Sequence, residues 1–396
     1  MVTRTGLNRR NILLGLGGLG IAAAAYRYWP EDGLVNPCPV ESIPERLLQH
    51  DLVKKAWEGV DPAQFWDCHV HLVGIGDGGT GPWVNPKMQS LRHPVQWLQY
   101  AFYLNASCTG NTEGANREYV ERLKKLTTQM PAGNKLMLLA FDYFHDATGA
   151  PEPEASAFHT PNEYAARIAH ANPAHFEWIA SIHPYRQDAV DALQKAQSQG
   201  ARAVKWLPPA QGMDPASALC DPFYEAAAHL DIPLLVHAGA ELAVHGANTE
   251  DFGNPLRLRR PLDHGVRVLV AHCASLGKGK DLDAGPAASS IPSFELFSRM
   301  MDEPRYEGLL FGDISAVTQI NRAGNVLSGL LSRTEWRHRL VNGSDYPLPG
   351  ILPLFALKLL ERSGFISRED SAVLSAIRNY NPLLFDFVLK RSLLFN

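Results

Sequence analysis

The sequence predicts an α/β protein folded as a (β/α)8 TIM barrel, and three observations support this prediction. Eight short apolar or β-branched runs recur between Phe65 and Asp345, and helix-like stretches separate most of them. Strands that alternate with helices pair in parallel, and eight such units close into a barrel over roughly 200 to 400 residues. Several of the runs also end in His, Lys or Asp. Barrel active sites lie at the carboxyl ends of the strands.

The elements follow from hydrophobic periodicity. In chain order, the eight candidate strands are 65–72, 136–142, 176–183, 201–207, 232–237, 266–272, 309–315 and 340–345. Amphipathic stretches predict helices at 116–130, 161–171, 189–199, 222–230 and 294–301.

The connection after the first strand, from residue 73 to about 134, is the long one. It predicts an insertion with a loop and an extra helix over the barrel mouth. The glycine-rich segment 74–81 and an aromatic group predict a lid or a pocket wall there. The aromatic group consists of Trp97, Tyr100, Phe102 and Tyr103. No strong linker stands out, so residues 30–396 are expected to form one catalytic domain.

Residues 1–29 have the layout of an export signal. Arg9 and Arg10 precede an apolar stretch at 12–25 that ends in small residues, and the paired arginines resemble a twin-arginine signal. The apolar stretch is shorter than the roughly 20 residues that span a bilayer. We therefore expect an exported, periplasmic protein that contacts the membrane only transiently. A permanent membrane anchor and a disordered tail on a cytoplasmic protein are the alternatives.

Composition narrows the class of partner. The formal net charge is −4 and the pI is about 6.4. These values do not indicate nucleic acid or an anionic membrane as a binding partner. The five cysteines include no CxxC pair and are neither a disulfide framework nor a zinc knuckle. An exported chain could still form one disulfide, whose pair the sequence does not identify. The expected partner is a small-molecule substrate, and a homo-oligomer is compatible with the sequence.

The motif that carries chemistry is Asp67-Cys68-His69-Val70-His71. Side chains alternate faces along a strand, so His69 and His71 point the same way while Cys68 and Val70 point toward the helices. Two imidazoles at this spacing can chelate one divalent ion, and nitrogen ligands suit zinc, iron, nickel or manganese. An H-x-H pair by itself is weak evidence.

Other predicted strands end in residues of the same chemistry. His237 and His272 end the fifth and sixth strands, Asp345 ends the eighth, and Lys205 lies near the end of the fourth. Because the carboxyl ends of barrel strands surround one cavity, these side chains are expected to converge there.

With these motifs the sequence resembles the amidohydrolase superfamily, in particular its amidohydrolase-related branch of metal-dependent hydrolases and decarboxylases. The resemblance covers about residues 65 to 385 and is specific to the superfamily, not to a substrate. The segments that carry it are 67–71, 233–239, 266–273, 343–347 and 381–385.

The resemblance implies one or two divalent ions, zinc or else manganese or iron. His69 and His71 would bind the more buried ion together with Asp345, and His237 would be a further ligand. His272 would either bind a second ion or polarise the substrate. Asp345 would also hold the attacking water and take its proton. Asp345 and His272 are therefore the candidate catalytic residues.

Lys205 is open to three interpretations. Some superfamily members carry a carboxylated lysine on the fourth strand, and Lys205 would then bridge two ions. As an unmodified amine it would line the pocket as a cation that suits an anionic substrate. It could also form a structural ion pair.

Two further residues are candidates for substrate binding. Glu241 follows His237 by four residues and could reach the barrel mouth, or it could be a solvated loop charge. Arg257, in a basic stretch with Arg259 and Arg260, could clamp a substrate carboxylate or form a surface ion pair. Three other residues near strand ends could be ligands, support ligands or cap the chain: Asp313, Ser315 and His183.

The expected function is hydrolysis of an amide, lactone or ester bond by a metal-activated water. A lyase on the same scaffold, acting as a decarboxylase or hydratase, is the alternative because the same ligands serve both. A metal-retaining protein without catalysis is a third hypothesis, which the presence of Asp345 disfavours.

Overall fold

A computed structural model describes residues 33–76, 81–110, 113–244, 249–285 and 287–394. The expected signal at 1–29 lies outside these residues. The strands are β1 Trp66–His71, β2 Trp83–Val84, β3 Lys135–Leu139, β4 Phe158–His159, β5 Phe176–Ile179, β6 Val204–Trp206, β7 Leu234–His237, β8 Val268–Ala271, β9 Lys278–Lys280, β10 Ser290–Pro292, β11 Leu310–Asp313 and β12 Leu340–Val341.

The helices alternate with these strands along most of the chain. They are α1 Glu45–Leu48, α2 Asp51–Trp57, α3 Pro94–Ala106, α4 Ala115–Thr128, α5 Asn162–Ala171, α6 Ala189–Ser198, α7 Pro208–Gln211, α8 Asp221–His229, α9 Arg259–Asp263, α10 Ser293–Met301, α11 Ala323–Ser332, α12 Leu357–Arg362, α13 Arg368–Tyr380 and α14 Pro382–Leu394. All five helices that the sequence predicts are present as α4, α5, α6, α8 and α10.

All eight predicted barrel strands are present, and they pair in parallel. One sheet has the order β1-β3-β5 and the other the order β6-β7-β8-β11-β12. A parallel bridge between Ala180 and Val204 joins β5 to β6, and a second one between Val70 and Tyr346 joins β1 to the segment after β12. The eight strands therefore follow one another around a (β/α)8 barrel, as predicted.

The eighth strand is shorter than expected. The sequence predicts 340–345, whereas regular pairing ends at Val341. Asp345 has a φ of 61°, a left-handed backbone that leaves the pleat of a strand. The N–H of Asp345 nevertheless donates to His69 O at 2.8 Å, so the end of the eighth strand remains attached to β1.

Alternation along the strands separates two apolar layers. Val70, Trp206 and Val236 belong to the core between the strands and the surrounding helices. The interior of the barrel has its own small cluster, which leaves the carboxyl ends of the strands to polar residues. This cluster consists of Leu139, Ile179, Ala203, Leu235 and Ala271.

The insertion after β1 has the predicted loop and extra helix. The extra helix is α3, and Phe102 and Tyr103 from it line the cavity described below. Tyr100 instead packs inward and donates its hydroxyl to Gly74 O at 3.0 Å. A disulfide between Cys38 and Cys108 attaches the N-terminal extension to the segment after α3. Among the described residues, no helix is both long and apolar enough to cross a membrane.

Candidate metal centre

His69 is fixed at the centre of the site by a carboxylate. The residue is fully buried, and its Nδ1 lies 2.7 Å from Oδ2 of Asp313, at the end of β11. A carboxylate accepts hydrogen bonds, so Nδ1 carries the proton and the lone pair of Nε2 is left for the cavity. Nε2 lies 3.1 Å from Lys205 Nζ. This arrangement selects the tautomer that metal-binding histidines use.

Asp345 is the anionic centre of the histidine group. Its Oδ1 lies 3.1 Å from His71 Nε2 and 3.5 Å from His69 Nε2. Its Oδ2 lies 3.7 Å from His272 Nε2. Burial opposes ionisation, but His272, His69 and His71 together hold the pKa of the Asp345 carboxyl well below its usual range. Asp345 is therefore ionised at neutral pH.

Ser315 links His272 to the carboxylate of Asp313. The Nδ1 of His272 lies 2.8 Å from Ser315 Oγ, and the Ser315 hydroxyl donates to Asp313 Oδ2 at 2.6 Å. The His272 ring stacks on His69 with centroids 5.1 Å apart. His272 has a φ of 56°, and backbone strain of this kind costs on the order of 1–3 kcal/mol and gathers at functional sites.

The protonation states and donor atoms of these residues suit the binding of a cation. Burial lowers the pKa of His69 and His272, and lowers that of His237 to about 4, so these imidazoles are neutral at pH 7 and free to coordinate. Two groups have ligand atoms within 4.8 Å of one another, namely His69, His71 and Asp345, and His69, His272 and Asp313. The donor set of imidazole nitrogens and a carboxylate fits a divalent transition ion.

His237 lies beside this group and not in it. Its ring centroid is 5.3 Å from that of His272, but Nε2 faces Ala240 O at 3.4 Å and Nδ1 faces Glu241 Oε2 at 3.4 Å. Among the described residues, His237 joins neither ligand group. Glu241 lines the cavity, as the sequence predicts, and also accepts from Val244 N at 2.9 Å.

Lys205 points at the metal centre. Its side chain is almost fully buried and faces His69, and burial lowers the pKa of its ammonium while Asp345 and Asp313 oppose that shift. No carboxylate of the described residues forms an ion pair with Lys205, so the structural ion pair is not observed. The other two roles, bridging ligand and pocket cation, both place Lys205 where it is found.

A cavity of about 350 Å³ opens from these residues. Its upper wall is mainly apolar and aromatic, with Phe102, Phe141 and Phe158 among the lining side chains. Many of the polar groups of its wall belong to the candidate metal centre or to the loop after β11. That loop contributes Gln319, Asn321 and Arg322.

The structure does not bring Arg257 to the cavity. Its guanidinium pairs with Asp214 Oδ2 at 2.7 Å, and the neighbouring arginines are paired as well. Arg259 binds Asp283 and Glu303, and Arg260 binds Asp221. Of the two alternatives, the structure shows the ion pair and not the substrate clamp, because nearby carboxylates pair with these cations outside the cavity.

Sequence reasoning gave Asp313 and Ser315 only an open role and did not select Gln319 or Arg322. Asp313 lies 244 positions from His69, so no local spacing indicates their contact. The available signal for Arg322 was its place on the long loop that follows the seventh barrel strand, since such loops build barrel active sites. His183, another candidate, does not line the cavity and stacks on His145.

The chain matches one known protein family and is similar to several solved structures. Residues 66–350 match the family model described as amidohydrolase. Similar solved structures include a probable 2-pyrone-4,6-dicarboxylic acid hydrolase from Acinetobacter baumannii, which is 12% identical with a TM-score of 0.44 over 78% of this chain and 94% of that one.

Two other similar structures are enzymes of different reaction types. The 4-oxalomesaconate hydratase from Rhodopseudomonas palustris is 14% identical, with a TM-score of 0.42 over 80% of this chain and 95% of that one. The 5-carboxyvanillate decarboxylase from Sphingomonas paucimobilis is 12% identical, with a TM-score of 0.42 over 80% and 97%. No curated protein sequence matches the chain. The family match extends over most of the chain and includes the eight strands and every residue of the metal centre, and the chain belongs to the amidohydrolase family.

Proposed function

We propose that this protein is a metal-dependent hydrolase that cleaves an amide, lactone or ester bond of a small-molecule substrate. The observation that carries the proposal is the position of Asp345, an ionised and buried carboxylate that borders the cavity and lies between three histidines. A carboxylate in this position can serve as ligand and as proton acceptor. A nitrogen-rich set with one carboxylate favours zinc, with manganese or iron as alternatives.

The residues of the chain have separable tasks in this reaction. A divalent ion held by His69, His71 and Asp345 would act as a Lewis acid toward water and the scissile carbonyl. Asp345 accepts the proton of the attacking water and returns it to the leaving nitrogen or oxygen as the acyl bond breaks. His272 Nδ1 is held by Ser315 Oγ, which leaves the lone pair of Nε2, facing Asp345 Oδ2, as a further ligand for an ion. The apolar wall excludes bulk water, which strengthens these polar interactions.

Lys205 would decide how many ions the site holds. A buried amine with a lowered pKa has a larger neutral fraction, and the neutral amine is the form that adds carbon dioxide. A carbamate on Lys205 would add a second anionic ligand beside His69. An unmodified Lys205 would leave a single ion and a cation in the cavity. Intact-protein mass spectrometry under native conditions, read together with the metal content, separates these two forms.

Elemental analysis by plasma mass spectrometry tests the metal centre. We expect at least one equivalent of a divalent ion per chain and its loss in the His69→Ala/His71→Ala variant. The His183→Asn variant is a matched control, since it alters a buried histidine outside the cavity and should keep its metal. A folded wild-type protein that stays free of metal after reconstitution would overturn the proposal.

The reaction class needs a separate test. Purified protein is incubated with a panel of aryl esters, anilides and lactones and, separately, with aromatic acids, and the products are identified by mass spectrometry. Hydrolysis of an ester or anilide gives two products whose masses sum to that of the substrate plus one water. Hydrolysis of a lactone gives one ring-opened product that is heavier than the substrate by one water. Release of carbon dioxide from aromatic acids, with no hydrolysis in the panel, would replace the hydrolase by the decarboxylase alternative.

We also propose that the protein is exported. The signal-like sequence of residues 1–29 supports this proposal, and so does the Cys38–Cys108 disulfide, since such bonds persist in oxidising compartments. Fractionation of cells that express the full chain tests it, with Arg9→Lys/Arg10→Lys as the variant that should remain inside. Wild-type protein found only in the cytoplasm, with all five cysteines reduced, would contradict it.

A further inference from the structure

The loop after β11 places an arginine in the cavity without a direct counter-ion. Arg322 is only 9% exposed, and Lys205 and Arg322 are the two Lys or Arg residues among the described residues that line the cavity. The Nη1 of Arg322 donates to Ser275 Oγ at 3.0 Å, while its buried Nε has no partner in the described part of the chain. No carboxylate of the described residues forms an ion pair with it.

The anionic groups of the cavity are already committed to other partners. Asp345 faces His69, His71 and His272, and Glu241 accepts from its own loop and faces His237. These carboxylates act on the Arg322 guanidinium through their charge but do not contact it. Arg322 contrasts with Arg257, Arg259 and Arg260, each of which has a carboxylate partner.

A second unpartnered donor lies on the same loop. The side chain of Gln319 is 3% exposed and lines the cavity, and its buried Nε2 has no hydrogen-bond partner among the described residues. The N–H of Arg322 donates to Gln319 O at 2.9 Å, so one turn holds the two residues together. Two residues with buried donors, one of them charged, thus lie on one turn, and both line a largely apolar cavity.

Such a pair is costly unless something binds it. A buried charge without a direct partner is strongly unfavourable, and so is a buried amide hydrogen without an acceptor. A carboxylate would meet both needs, because its two oxygens accept several hydrogen bonds and match the geometry of a guanidinium. A single positive charge with a neutral amide also suits a monoanion better than a phosphate dianion.

We propose that Arg322 and Gln319 form a subsite for a carboxylate group of the substrate. The substrate would then be an acyl compound with an apolar body that packs on the aromatic wall and a carboxylate that is held at the loop after β11. Hydrolysis of the bound molecule rests on the proposed function. Binding of its carboxylate by Arg322 and Gln319 is independent of that function.

A binding measurement tests the subsite independently of turnover. Benzoate, benzamide and phenyl phosphate serve as probes in isothermal titration calorimetry, with metal-loaded protein and with protein freed of metal by a chelator. Wild-type protein should bind benzoate more tightly than benzamide or phenyl phosphate. Arg322→Met should weaken benzoate binding by about 10- to 100-fold, the usual effect of a lost hydrogen-bonded charge, and leave benzamide binding unchanged.

Two further variants separate geometry from charge. Arg322→Lys keeps the charge but not the two-pronged geometry and should fall between wild type and Arg322→Met. Gln319→Leu should weaken benzoate binding by a few-fold. Arg337→Met, at an exposed arginine, is the matched control and should leave binding unchanged. Thermal unfolding of each variant establishes that it is folded.

The outcomes distinguish this subsite from the proposed reaction. Benzoate binding that disappears with the metal and is unaffected by Arg322→Met would overturn the subsite, because the ion alone would then bind the carboxylate. Tighter binding of phenyl phosphate than of benzoate would overturn the choice of carboxylate. Arg322-dependent benzoate binding in a protein that hydrolyses nothing in the ester, anilide and lactone panel would sustain the subsite and reject the hydrolase.

Discussion

Two groups of buried histidines lie near the carboxyl ends of barrel strands, and only one of them has the properties of a metal centre. In the centre, the rings of His69 and His272 stack with centroids 5.1 Å apart. In the second group, His145 and His183 stack at 4.5 Å. Burial lowers the pKa of His69 and His272, and it lowers that of His183 to about 2. Both groups therefore contain neutral imidazoles.

The groups differ in what surrounds the rings. Asp345 and Asp313 face the histidines of the centre. His183 Nδ1 instead accepts a hydrogen bond from Tyr185 N, and its Nε2 has no partner within the described ranges. Among the described residues, no carboxylate forms an ion pair with His145 or His183. Burial makes an imidazole neutral, but carboxylates orient it and supply the charge that a cation needs.

Removing the base should have the largest effect. Asp345→Asn is expected to lower kcat/KM by about 10²- to 10⁴-fold, the usual contribution of a general base. The fold should persist, because asparagine tolerates the left-handed backbone at this position. Steady-state kinetics on a substrate from the ester, anilide and lactone panel measures the loss, and thermal unfolding checks the fold. Near-normal turnover would remove Asp345 from the role of base.

Removing the carboxylate that orients His69 should weaken metal binding. Asp313→Asn is expected to reduce metal affinity by about 10- to 100-fold, as losses of such supporting partners do. Competition with a chromogenic chelator measures the affinity. The comparison between the two histidine groups requires that His183→Asn leaves this affinity unchanged. If His183→Asn weakened binding as much as Asp313→Asn, the two groups would not differ as we describe.

The second group should contribute to acid stability. The folded pKa of His183 is near 2 and its unfolded pKa is about 6.5, so the unfolded chain takes up the proton first as the pH falls. The contribution of neutral His183 to the free energy of unfolding is fully present above pH 6.5 and is lost as the pH falls toward 2. Between pH 7 and pH 5 this loss amounts to about 2 kcal/mol. Denaturant unfolding should show a shallower pH dependence in His183→Asn, and an unchanged slope would contradict the linkage.

Removing the serine that joins Asp313 to His272 should have the smallest effect. Ser315→Ala deletes the hydroxyl between the two side chains, while Ser315 O remains 3.2 Å from His272 Nδ1. A neutral hydrogen bond contributes about 1 kcal/mol, so we expect about a fivefold weaker binding of the metal. The same chelator competition measures it. A loss as large as that of Asp313→Asn would show that Ser315, and not Asp313, is the main support.

The sequence by itself determined the order of the eight strands and the placement of histidines and Asp345 at their carboxyl ends. These features follow from short-range rules, since alternation along a strand fixes the face of each side chain and a parallel barrel brings the strand ends together. For this reason strand-end positions were enough to select the candidate residues, while their roles as ligands came from the resemblance. The candidates were His69, His71, Lys205, His237, His272 and Asp345.

Only the tertiary structure decided which partner each polar group has. Asp313 contacts His69 across 244 positions, Arg257 pairs with Asp214, and Arg322 pairs with no carboxylate of the described residues. Cys38 and Cys108, 70 positions apart, form the disulfide. Sequence spacing indicates which face of its strand or helix a side chain occupies. Contacts between the loops at the barrel mouth depend instead on tertiary packing. The partner of a buried charge is therefore a property of the folded chain.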